Sequence, residues 1–68
     1  MTVDELLRSA PDDQVVRLKI CWRVVAAGDW AEAAHSLRNA AREGDTDWHR
    51  NCGSEAERLA CMVPAAKV

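Results

Sequence analysis

The stretch from Gly28 to Gly44 restricts the fold more than any other part of the chain. It reads Gly-Asp-Trp-Ala-Glu-Ala-Ala-His-Ser-Leu-Arg-Asn-Ala-Ala-Arg-Glu-Gly. It opens on a cap: the Asp29 side chain can accept from an otherwise unpaired N–H of a helix's first turn. Glu32, three residues on, has the spacing to reach back to the same turn. Gly44 can take the left-handed conformation that stops a helix. Between these signals Trp30, Ala33, Ala34, Leu37, Ala40 and Ala41 form one apolar stripe at helical spacing, and His35, Arg38, Asn39 and Arg42 fall on another face. An apolar stripe has to be buried, so the rest of the chain must supply a surface to cover it.

The flanking segments supply helices. Residues 2–10 form a short one: Thr2 and Glu5 have capping-box spacing, and Val3, Leu6, Leu7 and Ala10 make its stripe. Pro11 ends it, because proline disfavours helical geometry in the residue before it. Asp12 or Asp13 then caps a second helix. Residues 13–27 admit two readings. Ten of the thirteen residues from Val15 to Ala27 are apolar. As a strand, Val16, Leu18, Ile20, Trp22 and Val24 share one face. As a helix, Val15, Leu18, Trp22 and Val25 form the inner stripe, with Cys21 beside it. The helix is preferred, because a lone strand needs a partner and no other segment offers one, short of two chains pairing their strands. Gly28 and Asp29 then join helices two and three as an antiparallel hairpin. A turn at residues 44–47 leads to a fourth helix from about Asp47 to Met62, with Trp48, Cys52, Ala56, Leu59 and Val63 on one face. Gly53 costs about 1 kcal/mol in mid-helix relative to alanine, and Ser54 with Glu57 repeats the capping-box spacing, so the segment reads either as one helix or as two pieces broken near Gly53. Pro64 closes the fold, leaving a frayed tail at 65–68. The expectation is an all-α bundle of three or four short helices around a central antiparallel hairpin, one domain over residues 1–64.

At 68 residues the chain hides only about 60% of the surface its unfolded form exposes. Much of its 49% apolar content is alanine, and Trp22, Trp30 and Trp48 are all its aromatic bulk. Close helix packing follows, and a homodimer interface is one place to use it. The charge balance, nine basic to eleven acidic residues, argues against a dedicated nucleic-acid binder. No apolar run reaches the roughly 18 residues of a membrane helix, and the acidic start, Met-Thr-Val-Asp-Glu, lacks the basic region of a signal peptide. The chain reads as cytoplasmic, with its three cysteines reduced.

Residues 15–53 resemble a tetratricopeptide-type helical hairpin. Gly28-Asp29-Trp30 stands where that repeat has a glycine, a small polar residue and an aromatic. Ala33, Leu37 and Ala40 stand at its small, large and small positions, Ile20 and Cys21 fit its first helix, and Gly53 begins a second copy. The resemblance implies a helix-hairpin interaction module.

Chemistry is sparse by comparison. His49, Cys52 and Cys61 invite a metal, but nine helical residues between the cysteines put them on opposite faces about 13.5 Å apart along the axis, and paired CxxC spacing is absent. No metal and no cofactor are expected. No recognisable motif lowers a thiol pKa, and no phosphate-loop or dinucleotide pattern is present, so no catalysis is expected. His35, Arg38 and Arg42 project to nearly one side of the third helix, and arginine forks pair well with carboxylate or phosphate. With Asn39 they form a candidate docking stripe for an acidic protein surface, and Trp30 and Trp48 are candidate anchors beside it. The expected function is a non-catalytic protein–protein interaction module, in its sharper form a phage- or mobile-element-encoded inhibitor of a bacterial defence complex. The alternative is a small dimeric DNA-binding regulator, using Arg17, Lys19 and Arg23 or Arg38 and Arg42.

Overall fold

A computed structural model describes residues 1–64. The fold is all-α. Helix α1 spans Val3–Arg8, α2 spans Val15–Ala26 behind a single 3-10 turn at Asp12–Gln14, α3 spans Trp30–Ala41 and α4 spans Asp47–Ala60. The tail at 65–68 lies outside the described residues. The ambiguity over residues 15–25 resolves as helix.

Each helix start has its own chemistry. Thr2 Oγ1 accepts from the Glu5 N–H at 3.3 Å, and Glu5 Oε1 accepts from the Thr2 N–H at 3.0 Å, which completes the reciprocal box on α1. Glu5 Oε1 also accepts from the Thr2 hydroxyl at 3.1 Å, and the two bonds it accepts, from the Thr2 N–H first and the hydroxyl second, hold the Glu5 carboxyl below its usual pKa. Asp29 Oδ1 accepts from the Glu32 N–H at 3.2 Å and caps α3. Thr46 caps α4, accepting from the His49 N–H. Helix α2 departs from expectation, since neither Asp12 nor Asp13 caps it. Both lie inside the 3-10 turn, and Gln14 precedes α2 with no side-chain cap. Gln14 is instead buried: its Nε2 donates to Glu43 at 2.6 Å and its Oε1 accepts from Arg17 at 3.1 Å. Arg17 closes the loop on Glu43 at 2.9 Å. Gln14 first, and Arg17 second, lower the Glu43 pKa. This network pins the start of α2 to the end of α3, and Cys21 Sγ meets the Ala33 carbonyl at 3.6 Å further along. The two helices are therefore antiparallel.

The turn between them is a Schellman motif. The Gly28 N–H donates to Val25 O and the Asp29 N–H to Val24 O, each at 2.9 Å. Gly28 carries φ +81°. Gly44 does not adopt a left-handed conformation; among the described residues only Gly28 does. Helix α3 ends instead at Ala41, with Arg42 as its C-cap in right-handed geometry. Gly44 serves another purpose. The His49 ring, hydrogen-bonded to Thr46 Oγ1 at 2.7 Å, lies over it too closely to admit a Cβ.

The core runs through all four helices. Val3, Leu6, Leu18, Cys21, Ala33, Ala34, Leu37, Ala40, Cys52, Ala56 and Leu59 are buried. The predicted stripe of α3 is thus the central strip of the molecule. The stripe of α2 is rotated from the one expected: Leu18 and Cys21 are fully buried, whereas Trp22 is 48% exposed. The facing surface of α3 is alanine, and a helix lying that close has room for a thiol and not for an indole. Helix α4 runs unbroken through Gly53. There an added Cβ would stand 3.6 Å from that of Ala41, an ordinary contact, so the glycine neither breaks the helix nor is required by α3–α4 packing. Glu55, unforeseen in the sequence, is buried at 2% exposure. Arg58 satisfies it with two parallel donors, Nε at 2.7 Å and Nη2 at 2.5 Å, while keeping its own side chain half in water. Burial of a lone carboxylate would cost several kcal/mol.

Candidate interaction surface

The α3 residues singled out in the sequence stand together on the outside of the bundle. His35, Arg38 and Arg42 are exposed and Asn39 is half-buried, its amide nitrogen 3.4 Å from His35 Nε2. Arg38 lies in the last turn of α3 and Arg42 at its C-cap, where a cation complements the helix dipole. Ion pairing separates these arginines from others. Arg8, Arg17, Arg50 and Arg58 each hold a carboxylate. Among the described residues, Lys19, Arg23, Arg38 and Arg42 hold none, and all four belong to the α2–α3 hairpin. Residues 15–42 contain five basic and two acidic side chains, net +3, inside a chain whose net charge is −2. The modest overall acidity therefore conceals a positive hairpin flanked by two acidic arms.

The tryptophans take different places. Trp48 is half-buried against the core. Its indole N–H donates to the Leu6 carbonyl of α1 at 3.0 Å, and its ring meets His49 edge-on with centroids 5.1 Å apart. It fastens α1 to α4. Trp30 is also half-buried against the core, at the first turn of α3. Both tryptophans are half-buried, whereas Arg38 and Arg42 are exposed.

The cysteines are divided by burial. Cys21 and Cys52 are buried and Cys61 is exposed. Burial pushes both inner thiols up to about 11, with Cys52 and Glu55 adding to the effect at Cys21. A thiol that resists ionisation is a poor nucleophile. Among the described residues, no three His, Cys, Asp or Glu side chains converge as metal ligands would, and no concave pocket is present. Nor is any helix there long and apolar enough to cross a membrane. The arrangement offers convex helix faces carrying fixed charge.

No protein-family model matches the chain, no curated protein matches its sequence, and no solved structure matches its fold.

Proposed function

We propose that the protein is a non-catalytic interaction module of the cytoplasm, and that the outer face of α3 docks on an acidic surface of another protein. The observation that supports this is the pair Arg38 and Arg42: exposed, one turn apart and without a carboxylate among the described residues. Two such guanidinium forks can each take a partner carboxylate in a bidentate bond. His35 and Asn39 extend the stripe, and the half-buried Trp30 and Trp48 are its apolar anchors. Within this class, an inhibitor encoded by a phage or mobile element and docking on a bacterial defence complex would suit so small and site-poor a chain.

The test is the double substitution Arg38→Glu with Arg42→Glu. Partner protein is captured with wild type, identified by mass spectrometry and purified, and affinities are compared by calorimetry at about 0.05 and 0.3 M salt, where screening differs. Reversal sets like charges across the contact, at a cost of several kcal/mol. Helix-end charge effects amount to about 0.3–1 kcal/mol per arginine, so the helical spectrum persists with only a modest loss of stability. Equal affinity in mutant and wild type would return this face to plain solvated helix. Capture of duplex DNA with steep salt dependence would replace the proposal by the regulator alternative.

A further inference from the structure

We propose that the outer face of α2 is a second docking surface, shaped for an acidic amphipathic helix of another protein. Five large apolar side chains are exposed among the described residues. Val16, at 70%, Ile20 and Trp22 fall within one short stretch of α2, and the other two, Met1 and Met62, lie outside the helices. The exposed residues Val16, Ile20, Arg23 and Ala27 follow 4-3-4 spacing. That spacing makes a continuous seam along which a second helix can lie at a shallow crossing angle. Lys19 borders the seam one turn before Arg23.

Charge fixes the chemistry of the occupant. From Val15 to Ala27 there is no acidic residue, and Lys19 and Arg23 have no carboxylate partner among the described residues. A complementary helix places apolar side chains against Val16, Ile20 and Ala27, and Asp or Glu against Arg23 and Lys19. A second copy of α2 fits badly, because any α2–α2 pairing brings only cations together. An anionic lipid surface also fits badly. Interfacial helices keep cations on the polar face, and here Arg23 interrupts the apolar seam itself. The surface is distinct from the α3 stripe and stands independently of it.

The test uses 15N-labelled full chain and three probes. These are a synthetic helical peptide of about three heptads with Leu along its seam and Glu beside it, its lysine counterpart, and phosphatidylglycerol vesicles. The glutamate peptide is expected to move the amide resonances of Val16, Ile20, Arg23 and Ala27 and to bind at least about tenfold tighter than the lysine peptide. Ile20→Glu, at an exposed position, should keep the helical spectrum and lose at least about tenfold in peptide affinity. Arg38→Glu with Arg42→Glu should leave the α2 perturbations in place, which separates this surface from that of α3. Four results would overturn the proposal: no α2 perturbation at millimolar peptide, equal binding of both peptides, preferential binding to the vesicles, or concentration-dependent self-association through α2.

Discussion

A left-handed backbone calls for glycine at position 28 and nothing in the helix calls for it at position 53, and substituting alanine separates them. Gly28 holds φ +81° with nothing within 4 Å of an added Cβ, so Gly28→Ala meets no clash and still costs about 1–2 kcal/mol for a left-handed backbone. Gly53 sits in ordinary helix, and its Cβ would make a normal contact with Ala41. Gly53→Ala should therefore raise stability by about 0.5–1 kcal/mol. Paired urea melts check both signs, and a loss at Gly53 would mean that α3 and α4 lie closer than described. Single residues were also where the sequence was hardest to read. Thr2, Asp29 and Gly28 announced themselves through local hydrogen-bond chemistry. Gln14 and Glu55 did not, because their burial depends on Glu43 and Arg58 satisfying them, and a polar side chain shows nothing of this in hydropathy. Thr46 was hidden among neighbours equally suited to a turn.

Among the elements, α3 is the one whose loss the bundle could not survive. Leu37 is fully buried at the middle of its stripe, in a core otherwise rich in alanine and cysteine. Leu37→Ala should cost about 2–5 kcal/mol. Small domains have little more than that in total, so the variant should be largely unfolded at 37 °C by circular dichroism. A melting temperature equal to that of wild type would put Leu37 outside the core. The existence of the helices, their order and the hairpin between α2 and α3 could be read from caps and periodicity. The rotation of α2 about its axis could not. Its apolar residues ring the helix nearly all the way round, so the pattern leaves the inner side open, and the alanine surface of α3 decides it. Continuity of α4 is likewise a tertiary result: packing across Gly53 outweighs its low helix propensity.

At the scale of the whole molecule, folding hides two thiols out of three. Cys61 should react with a thiol reagent at once in native protein, and Cys21 and Cys52 only after denaturant is added. The inner pair also sets an alkaline limit. Their folded pKa values, about 11, lie above the ordinary 9, so the folded state holds protons that the unfolded state gives up. Stability contributed by the neutral thiols is complete below pH 9 and is lost as pH rises through 11. Replacing both cysteines with alanine should flatten that decline in pH-dependent urea melts, and an unchanged decline would assign it to other groups. The candidate surface was partly legible, because helical spacing alone gathers His35, Arg38 and Arg42. What spacing could not show is which cations are already paired, since that depends on carboxylates brought near by folding. The bond from Trp48 to the Leu6 carbonyl joins positions 42 apart in sequence. Helix α1 stands before the other three, yet an indole that fastens it belongs to the last of them. That first helix packs against α2 as well, so a chain cut before Trp48 would keep that near support and lose the far clasp.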